Sequence, residues 1–445
     1  MKPDSATLDD RQERLPRSLG AWAIWLLVVN GMIGAGIFGL PSGAVAAAGD
    51  FSPVVFLLCA LLILPVLLCF AELASHFRST GGPIRYATEA FGPFFGFQAG
   101  WLFYVARAIA FSANSVLLVD SIGYFWPSAA RGGMRIVLLA VICGGLTWVN
   151  VVGATHAIRS LAVLTVLKFT ALAGVVVAGI FLLGGDVVRQ VTLTPPRDTD
   201  LGAAILLLIY AYVGFESAVV PAGEARNPMR DMPRALLLGL LTVAVLYVLI
   251  QLVSMAAVPG IASSTTPMLD VSAALLGPAG AVLLMLGVAA SVGANLVSTT
   301  FATPRVSYSL ALDGSLPAWF GHVHPRFLTP ANSIMVYAAI AFAMALFGSF
   351  VWLAASSVVS RLLLYILTCA AVPVLRRRGD RRGGFVLPMG PVVPVLGIAA
   401  CGWLLLQVTQ KSVVLTAAFL VIGTVLYAVA HSRGRSRSSD HAPRS

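Results

Sequence analysis

Long apolar segments separated by short polar stretches make up most of the chain. A window of about 19 residues finds segments with few charges that are long enough to cross a bilayer as helices. They cover 19–45, 53–75, 94–124, 134–153, 158–183, 200–222, 234–257, 278–303, 331–349, 352–375, 391–409 and 412–431. Because a helix satisfies its own backbone hydrogen bonds, it is the form that such segments adopt in lipid. The pattern predicts an all-α integral membrane protein with twelve transmembrane helices.

Composition agrees with this prediction and excludes other classes of protein. Hydrophobic residues make up 58% of the chain and charged residues 11%, with a mean hydropathy of +0.91, which is outside the range of soluble domains. The five cysteines all fall in apolar segments, at spacings that suit neither zinc nor a disulfide framework. We therefore expect buried free thiols, no metal site and no cofactor.

Two of the apolar segments are interrupted by glycine. The first contains NGMIGAGIFG at residues 30–39, and the sixth contains YAYVGFE at residues 210–216. Each glycine weakens a helix by about 1 kcal/mol relative to alanine. Non-helical backbone at membrane depth occurs where it lines a cavity, so both segments are predicted to be broken helices beside a binding site.

The spacing of the two breaks predicts an internal repeat. Gly34 and Gly214 are 180 residues apart, and each lies in the first of five successive spans. Broken helices at corresponding positions of two halves are typical of inverted repeats with a substrate site at the bilayer midplane. The predicted parts are a tail at 1–18, repeats at 19–183 and 200–375, two further helices at 391–431, and a basic tail at 432–445.

The distribution of basic residues predicts the orientation. With the N-terminus inside, 21 of the 29 lysines and arginines fall on the side of the termini and 5 on the other. The positive-inside rule then predicts a plasma-membrane protein with both termini in the cytoplasm. Basic loops that face an anionic leaflet account for the net charge of +11. The expected partners are therefore the bilayer and a small molecule, and no nucleic acid.

Several short motifs occur in an order that resembles a known family. They are Gly34-Ala35-Gly36-Ile37-Phe38, Glu72-Leu73, Gly81-Gly82-Pro83, Phe91-Gly92, Gly214-Phe215-Glu216, Asn227-Pro228, Pro233-Arg234-Ala235 and Asp313-Gly314. Over roughly residues 19 to 375 the chain resembles the amino acid, polyamine and organocation superfamily, which includes the amino acid permeases. The resemblance implies the leucine-transporter-like fold of five plus five helices, with helices 1 and 6 broken.

The resemblance also implies a substrate site at the two breaks. Backbone N–H groups of the first break would bind the substrate carboxylate, as helix N-termini bind anions. Carbonyls of the second break would accept from the substrate ammonium, under an aromatic lid formed by Tyr210 or Phe215. The expected substrate-binding residues are Gly34, Ala35, Gly36, Ile37, Tyr210, Ala211, Tyr212, Gly214 and Phe215. Close helix packing by the glycines and ordinary core packing by the aromatic rings are the alternatives.

Ionisable groups inside the bilayer are functional candidates because they are costly to bury. Lys168 stands in the middle of span five, where similar family members carry a lysine in place of bound sodium. A buried ammonium releases its proton more readily than an exposed one, so Lys168 is a candidate for proton coupling, with Ser291 and Ser298 as partners. A permanently charged tether is the alternative. Glu216 is expected to gate or sense protons, or else to cap a helix.

Other charged residues are expected to form ion pairs. Arg107 and Arg361 are interpreted as structural partners rather than substrate ligands. A cytoplasmic network that holds the inward gate shut is expected from the charges at span ends, with solvated loop charges as the alternative. Its members would be Glu72, Arg78, Glu224, Arg230, Arg305 and Asp313.

These features predict a secondary transporter that moves a neutral or apolar amino acid by alternating access, coupled to protons. An exchanger or exporter of amino acids or amines is the alternative within the same fold. A membrane enzyme would need a cluster of catalytic groups at one depth, which the spans do not carry, so the protein is not expected to be an enzyme. A channel would need a continuous polar lining. The sequence does not distinguish a transporter from a protein that only senses a ligand, and it does not indicate the oligomeric state.

Overall fold

The computed structural model describes residues 19–77, 81–153, 161–196, 200–378, 385–387 and 389–439. The predicted tail at 1–18, Arg78 and the last part of the basic tail at 440–445 lie outside these ranges. The α-helices are α1 Ala21–Met32, α2 Gly36–Ala48, α3 Ser52–His76, α4 Pro83–Phe91, α5 Pro93–Phe125, α6 Gly132–Val152, α7 Leu161–Leu183, α8 Asp186–Arg189, α9 Leu201–Leu208, α10 Pro228–Ala257, α11 Pro267–Leu312, α12 Ala331–Phe347, α13 Phe350–Arg377, α14 Val392–Leu406 and α15 Gln410–Ser439.

The predicted all-α membrane class is confirmed. Within the described residues, eight helical segments are long and apolar enough to cross a membrane, and four shorter apolar ones accompany them. Apolar side chains are exposed along much of α6, α7 and α15, as expected for surfaces that lipid covers. Helical structure occurs in each of the twelve predicted spans. The number of helices that actually cross the bilayer, and the inverted repeat, stay predictions.

Several boundaries differ from the sequence prediction, for local reasons. The span predicted at 278–303 belongs to α11, which begins at Pro267 and bends at Gly277, where φ is 69°. Only glycine adopts such an angle without strain, and Pro278 then restarts the helix. The loop expected after span two contains a further helix, α4, which buries Tyr86, Ala87 and Ala90 on one face.

Helix α5 forms the centre of the molecule. Nearly all of its residues from Gly96 to Val119 are buried, and it packs on α11 and α13 on one side and on α4 and α12 on others. Because α5 has so little lipid contact, its polar side chains must find partners inside the protein. Two of them, Arg107 and Asn114, reach the candidate site described below.

Backbone hydrogen bonds join the residues just before α1 to the segment that follows the second break. Leu19 N donates to Glu224 O at 3.0 Å, and Arg226 N donates to Leu19 O at 2.8 Å. Gly81 N, before α4, donates to Val220 O at 3.3 Å. These backbone contacts join the predicted cytoplasmic ends of the two broken helices directly.

The predicted network of cytoplasmic charges is wrong for the members that the structure describes. Glu72 pairs instead with Arg376, at 2.5 Å, and accepts from Leu387 N at 2.9 Å. The other described members form no ion pair with any described residue; they are Glu224, Arg230, Arg305 and Asp313. The prediction of buried free thiols is confirmed for all five cysteines.

Candidate functional site

The two predicted breaks are present, and they touch each other. α1 ends at Met32 and α2 begins at Gly36, while α9 ends at Leu208 and gives way to short 3-10 turns on either side of Gly214. A Cβ at Gly31 would lie 2.5 Å from Gly214 O, and a Cβ at Gly214 would meet Gly31 O more closely still. Gly214 also has a φ of 111°, so only glycine fits this crossing without strain.

The first break leaves backbone donors free at the start of α2. The N–H groups of Ala35, Gly36 and Ile37 donate to no described backbone or side-chain acceptor. Gly34 differs from the expectation, because its N–H donates to Met32 O at 2.9 Å and the free donors begin one residue later. Unpaired N–H groups at a helix N-terminus are suited to bind an anion.

The second break leaves backbone acceptors free. The carbonyls of Tyr210, Ala211 and Tyr212 accept from no donor outside their own turn, as far as the chain is described. The chain then becomes extended at Val213, where φ is −85° and ψ is 164°. A cationic donor such as an ammonium group matches these carbonyls.

A small cavity of about 20 Å³ lies between the breaks. Its lining combines both broken helices with residues of α5, α11 and α13, namely Gly31, Met32, Gly34, Ala35, Gly36, Arg107, Ala110, Asn114, Tyr210, Val213, Gly214, Asn295 and Arg361. Such a volume is close to that needed for one water, so this conformation is closed around the site. An amino acid enters only if the walls move apart.

Tyr210 and Phe350 pack together at the cavity. Their ring centroids are 6.1 Å apart in an edge-to-face arrangement, and a Cβ at Gly39 would lie 2.5 Å from the Phe350 ring. Tyr210 lines the cavity, and its role as an aromatic lid stays a prediction. Phe350, at the first residue of α13, was not identified in the sequence because the chain offers many similar aromatic residues at helix ends.

The other two aromatic residues of the second break belong to the core. Phe215 is fully buried, with its ring centroid 5.3 Å from that of Phe70 and 5.5 Å from that of Tyr365. It is not at the cavity, so the lid role expected for it is wrong and the core alternative holds. The ring of Tyr212 packs against Phe56 and Tyr247, and Tyr212 does not line the cavity.

Lys168 is fully buried against the first break. Its Nζ donates to Asn30 Oδ1 at 2.7 Å, to Asn30 O at 3.0 Å and to Ile33 O at 2.6 Å. These oxygens are at the C-terminal end of α1, where a cation is favoured by the helix dipole. The lysine pairs with no carboxylate in the described chain, so its charge is held by neutral oxygens alone.

The two serines expected beside Lys168 behave differently. Ser291 Oγ donates to Ile33 O at 3.5 Å, the same carbonyl that accepts from the lysine. Ser291 therefore meets Lys168 only through this shared oxygen. Ser298 forms no hydrogen bond to Lys168 or to α1 in the described structure, and its predicted partnership is wrong. It lies seven residues further along α11, about 10 Å at 1.5 Å per residue.

Glu216 is part of a buried ion pair. Its Oε1 accepts from Arg361 Nε at 2.9 Å, and its Oε2 accepts from the Tyr365 hydroxyl at 2.9 Å and from Gly214 N at 2.8 Å. The last contact is the capping alternative, and it helps to hold the second break open. Arg361 thus has the structural pairing expected of it, with further bonds to Ser357 and to Ala106 O.

Arg107 contradicts its predicted role. It forms no ion pair with a described residue, and its Nε is buried without a hydrogen-bond partner. Its guanidinium lines the cavity together with Asn114 of α5 and Asn295 of α11. Neither asparagine was singled out in the sequence. The signal available was the spacing of polar and small residues at 107, 110 and 114, which is one face of a helix.

Known proteins resemble this chain along most of its length. Residues 19–430 match the amino acid permease family. The serine/threonine exchanger of Bacillus subtilis is 28% identical over 399 residues, which cover 86% of this chain and 89% of the relative. The branched-chain amino acid permease of the same organism is 27% identical, with 96% and 95% covered. The arginine/agmatine antiporter of Chlamydia pneumoniae is 25% identical, with 92% and 90% covered.

The family match includes both broken helices and every residue of the cavity between them. Because it extends over nearly the whole chain, shared ancestry accounts for the architecture as well as for the short motifs. This protein belongs to the amino acid permease family, within the amino acid, polyamine and organocation superfamily, and is a transporter rather than an enzyme.

Proposed function

We propose that the protein is a secondary active transporter that moves amino acids across the plasma membrane by alternating access. One observation carries this proposal: Ala35 and Gly36, whose N–H groups are free, and Tyr210, whose carbonyl is free, line a single cavity between the two broken helices. Ile37, Ala211 and Tyr212 follow these residues directly in the chain but do not line the cavity in this conformation. An amino acid backbone has an anionic end and a cationic end at a short separation. The two breaks offer one complement for each end.

The ligand assignment follows from this pairing. The α-carboxylate would accept from Ala35, Gly36 and Ile37 N–H, beside Gly34, which leaves room for it. The α-ammonium would donate to the carbonyls of residues 210–212, and Tyr210 would cover the bound substrate. Twelve membrane spans, the inverted repeat at 19–183 and 200–375, and cytoplasmic termini complete the proposal and account for breaks at equivalent positions.

The named substrates of the relatives do not indicate one type of side chain for the substrate of this protein. Their names specify serine and threonine, branched-chain amino acids, and arginine with agmatine, which differ in size and charge. The sequence favoured a neutral or apolar side chain. Arg107, Asn114 and Asn295 in the cavity wall make a purely apolar side chain a poor match, because it would leave their polar atoms unpaired.

Counterflow into proteoliposomes tests this function. Vesicles that contain the purified protein and an internal amino acid are expected to accumulate the same labelled amino acid, with a rate that saturates. Vesicles loaded with a sugar are the control. Flux that rises linearly with concentration and ignores the internal amino acid would indicate a channel, and no flux with bound ligand would indicate a sensor. Entry of label into the sugar-loaded vesicles up to equilibrium would indicate a carrier that does not need to exchange, whereas no entry into them at all would favour the exchanger alternative.

Lys168 is proposed as the proton-coupling group, supported by its place behind the first break with no carboxylate partner. Lys168→Met is expected to reduce uptake driven by an imposed pH gradient to background, while counterflow persists because the substrate groups at both breaks remain. Lys411→Met, at an exposed lysine of α15, is the matched control and should behave as wild type. Wild-type uptake that ignores the pH gradient, or a mutant still driven by it, would contradict the assignment.

A further inference from the structure

The guanidinium of Arg107 has no carboxylate within ion-pair distance among the described residues. The residue is 6% exposed, its Nε is buried without a hydrogen-bond partner, and its Cζ is 5.6 Å from the Phe103 ring centroid. Buried charges in proteins are usually paired or hydrogen-bonded, so the unpaired guanidinium of Arg107 is available to bind an anion.

The second arginine of the cavity differs from Arg107 in this respect. Arg361 donates to Glu216 at 2.9 Å and has Ser357 and Ala106 O as further acceptors. Arg107 and Arg361 line the same cavity, and Arg361 is paired with Glu216, so the three form one group of charges. Two guanidinium groups and one carboxylate leave this group with one positive charge in excess.

No other described lining residue removes this excess. The cavity wall contains no aspartate or glutamate, and its remaining polar side chains are Asn114, Tyr210 and Asn295. Asn114 Oδ1 is itself buried without a hydrogen-bond donor, which is a second unpaired polar atom on the same face of α5. Lys168 is not part of the wall, and its ammonium already has three oxygens.

We propose that the transported substrate is an amino acid with a carboxylate side chain, which Arg107 binds. This inference rests on the proposed function. A neutral amino acid is a zwitterion, so it adds no net charge and leaves the excess unchanged whichever of its groups meets Arg107. An acidic amino acid has a net charge of minus one and balances the group. The planar fork of arginine matches a carboxylate with two parallel hydrogen bonds.

The positions along α5 agree with this assignment. Asn114 lies beside Gly34, at the backbone donors proposed for the α-carboxylate. Arg107 is seven residues away on the same face, about 10 Å along the helix at 1.5 Å per residue. The end of a substrate side chain is therefore the part that reaches Arg107.

Competition in counterflow tests the inference on the wild-type protein. Glutamate against glutamine and aspartate against asparagine are pairs of nearly equal size that differ in charge. Whichever of glutamate and aspartate binds more tightly is expected to bind at least about ten times more tightly than its own amide. A charge-assisted hydrogen bond at a buried site implies a difference of this size. The measurements are made in methanesulfonate buffer, so that neither chloride nor a carboxylate counter-ion occupies Arg107, and are repeated with chloride added.

Two substitutions at Arg107 connect the preference to this residue. Arg107→Gln is expected to bring acid and amide to within about threefold of each other by weakening the acid alone. Arg107→Lys should keep part of the preference, since it keeps the charge and loses the fork. Arg131→Gln, at an exposed arginine before α6, removes the same charge elsewhere and should leave the preference unchanged. Monodispersity and thermal unfolding show that each variant is folded.

The outcomes separate this inference from the function on which it rests. Counterflow of neutral amino acids with no preference for acids, or a preference for acids that Arg107→Gln leaves intact, would overturn the inference while the transport function stands. Neutral amino acid binding that requires chloride would also overturn it. Absence of counterflow with every amino acid would overturn both.

Discussion

Replacement of Glu216 by glutamine is expected to destabilise the protein strongly, although the two side chains have the same shape. Glutamine retains acceptors for Tyr365 and Gly214 but leaves the guanidinium of Arg361 buried without its counter-charge. Breaking a buried ion pair in this way costs about 3–5 kcal/mol. We expect a markedly lower thermal unfolding temperature in detergent and partial loss of the site, since Glu216 also holds the backbone at the second break.

The chain provides a matched control for this substitution. Glu89 and Arg85 form an exposed pair at 3.2 Å, one turn apart on α4, and Glu89→Gln should cost less than about 1 kcal/mol. The double variant Glu216→Gln with Arg361→Met should recover stability relative to Glu216→Gln, because both charges are then absent. Equal unfolding temperatures for Glu216→Gln and Glu89→Gln would show that the buried pair does not stabilise the fold.

Replacement of Gly34 by valine is expected to abolish substrate binding and leave the fold intact. A Cβ at Gly34 would lie 3.4 Å from Asn295 Nδ2 and 3.9 Å from Asn114 Oδ1, which are ordinary contact distances, so the backbone has room for a side chain to begin at this position. The valine methyl groups would extend into the cavity beside the free donors at the start of α2. Loss of two charge-assisted hydrogen bonds corresponds to more than about a hundredfold in affinity.

Ligand-induced thermal shift measures this loss, since a ligand that binds only the folded protein raises its apparent stability. Gly144→Val on α6 is the control, because a Cβ there has nothing within 4 Å and the residue is exposed. Gly34→Val should unfold near the wild-type temperature but lose the shift, whereas Gly144→Val should keep it. Wild-type affinity in Gly34→Val would mean that the first break does not hold the carboxylate.

The two breaks could be predicted because their causes are local. Glycines in an apolar segment weaken the helix at those positions, whatever surrounds it, and free backbone groups follow from helix ends alone. In the structure the free donors begin one residue later than expected, at Ala35 instead of Gly34, and include Gly36 and Ile37. This shift depends on one turn in which Gly34 N donates to Met32 O, and residue types do not specify such a turn.

The direction of the aromatic rings could not be predicted. Tyr210, Tyr212 and Phe215 are close in sequence, yet only Tyr210 lines the cavity. In a segment that leaves the α-helix, the 3.6-residue period that relates position to direction is lost. The helical face of α5 kept that period, which is why Arg107 and Asn114 project into the same cavity.

The sequence by itself determined the membrane class, the position of both breaks and the burial of Lys168, because length, hydropathy and glycine content act over one helix at a time. Only the tertiary structure decided which buried charges are paired. Glu216 and Arg361 are 145 residues apart, and Lys168 and Asn30 are 138 apart. From the sequence, both Arg107 and Arg361 were expected to form ion pairs. In the described structure Arg361 forms one and Arg107 does not. Pairing at such separations depends on which helix faces pack together. The energy of a buried charge is then set mainly by whether packing places an opposite charge beside it.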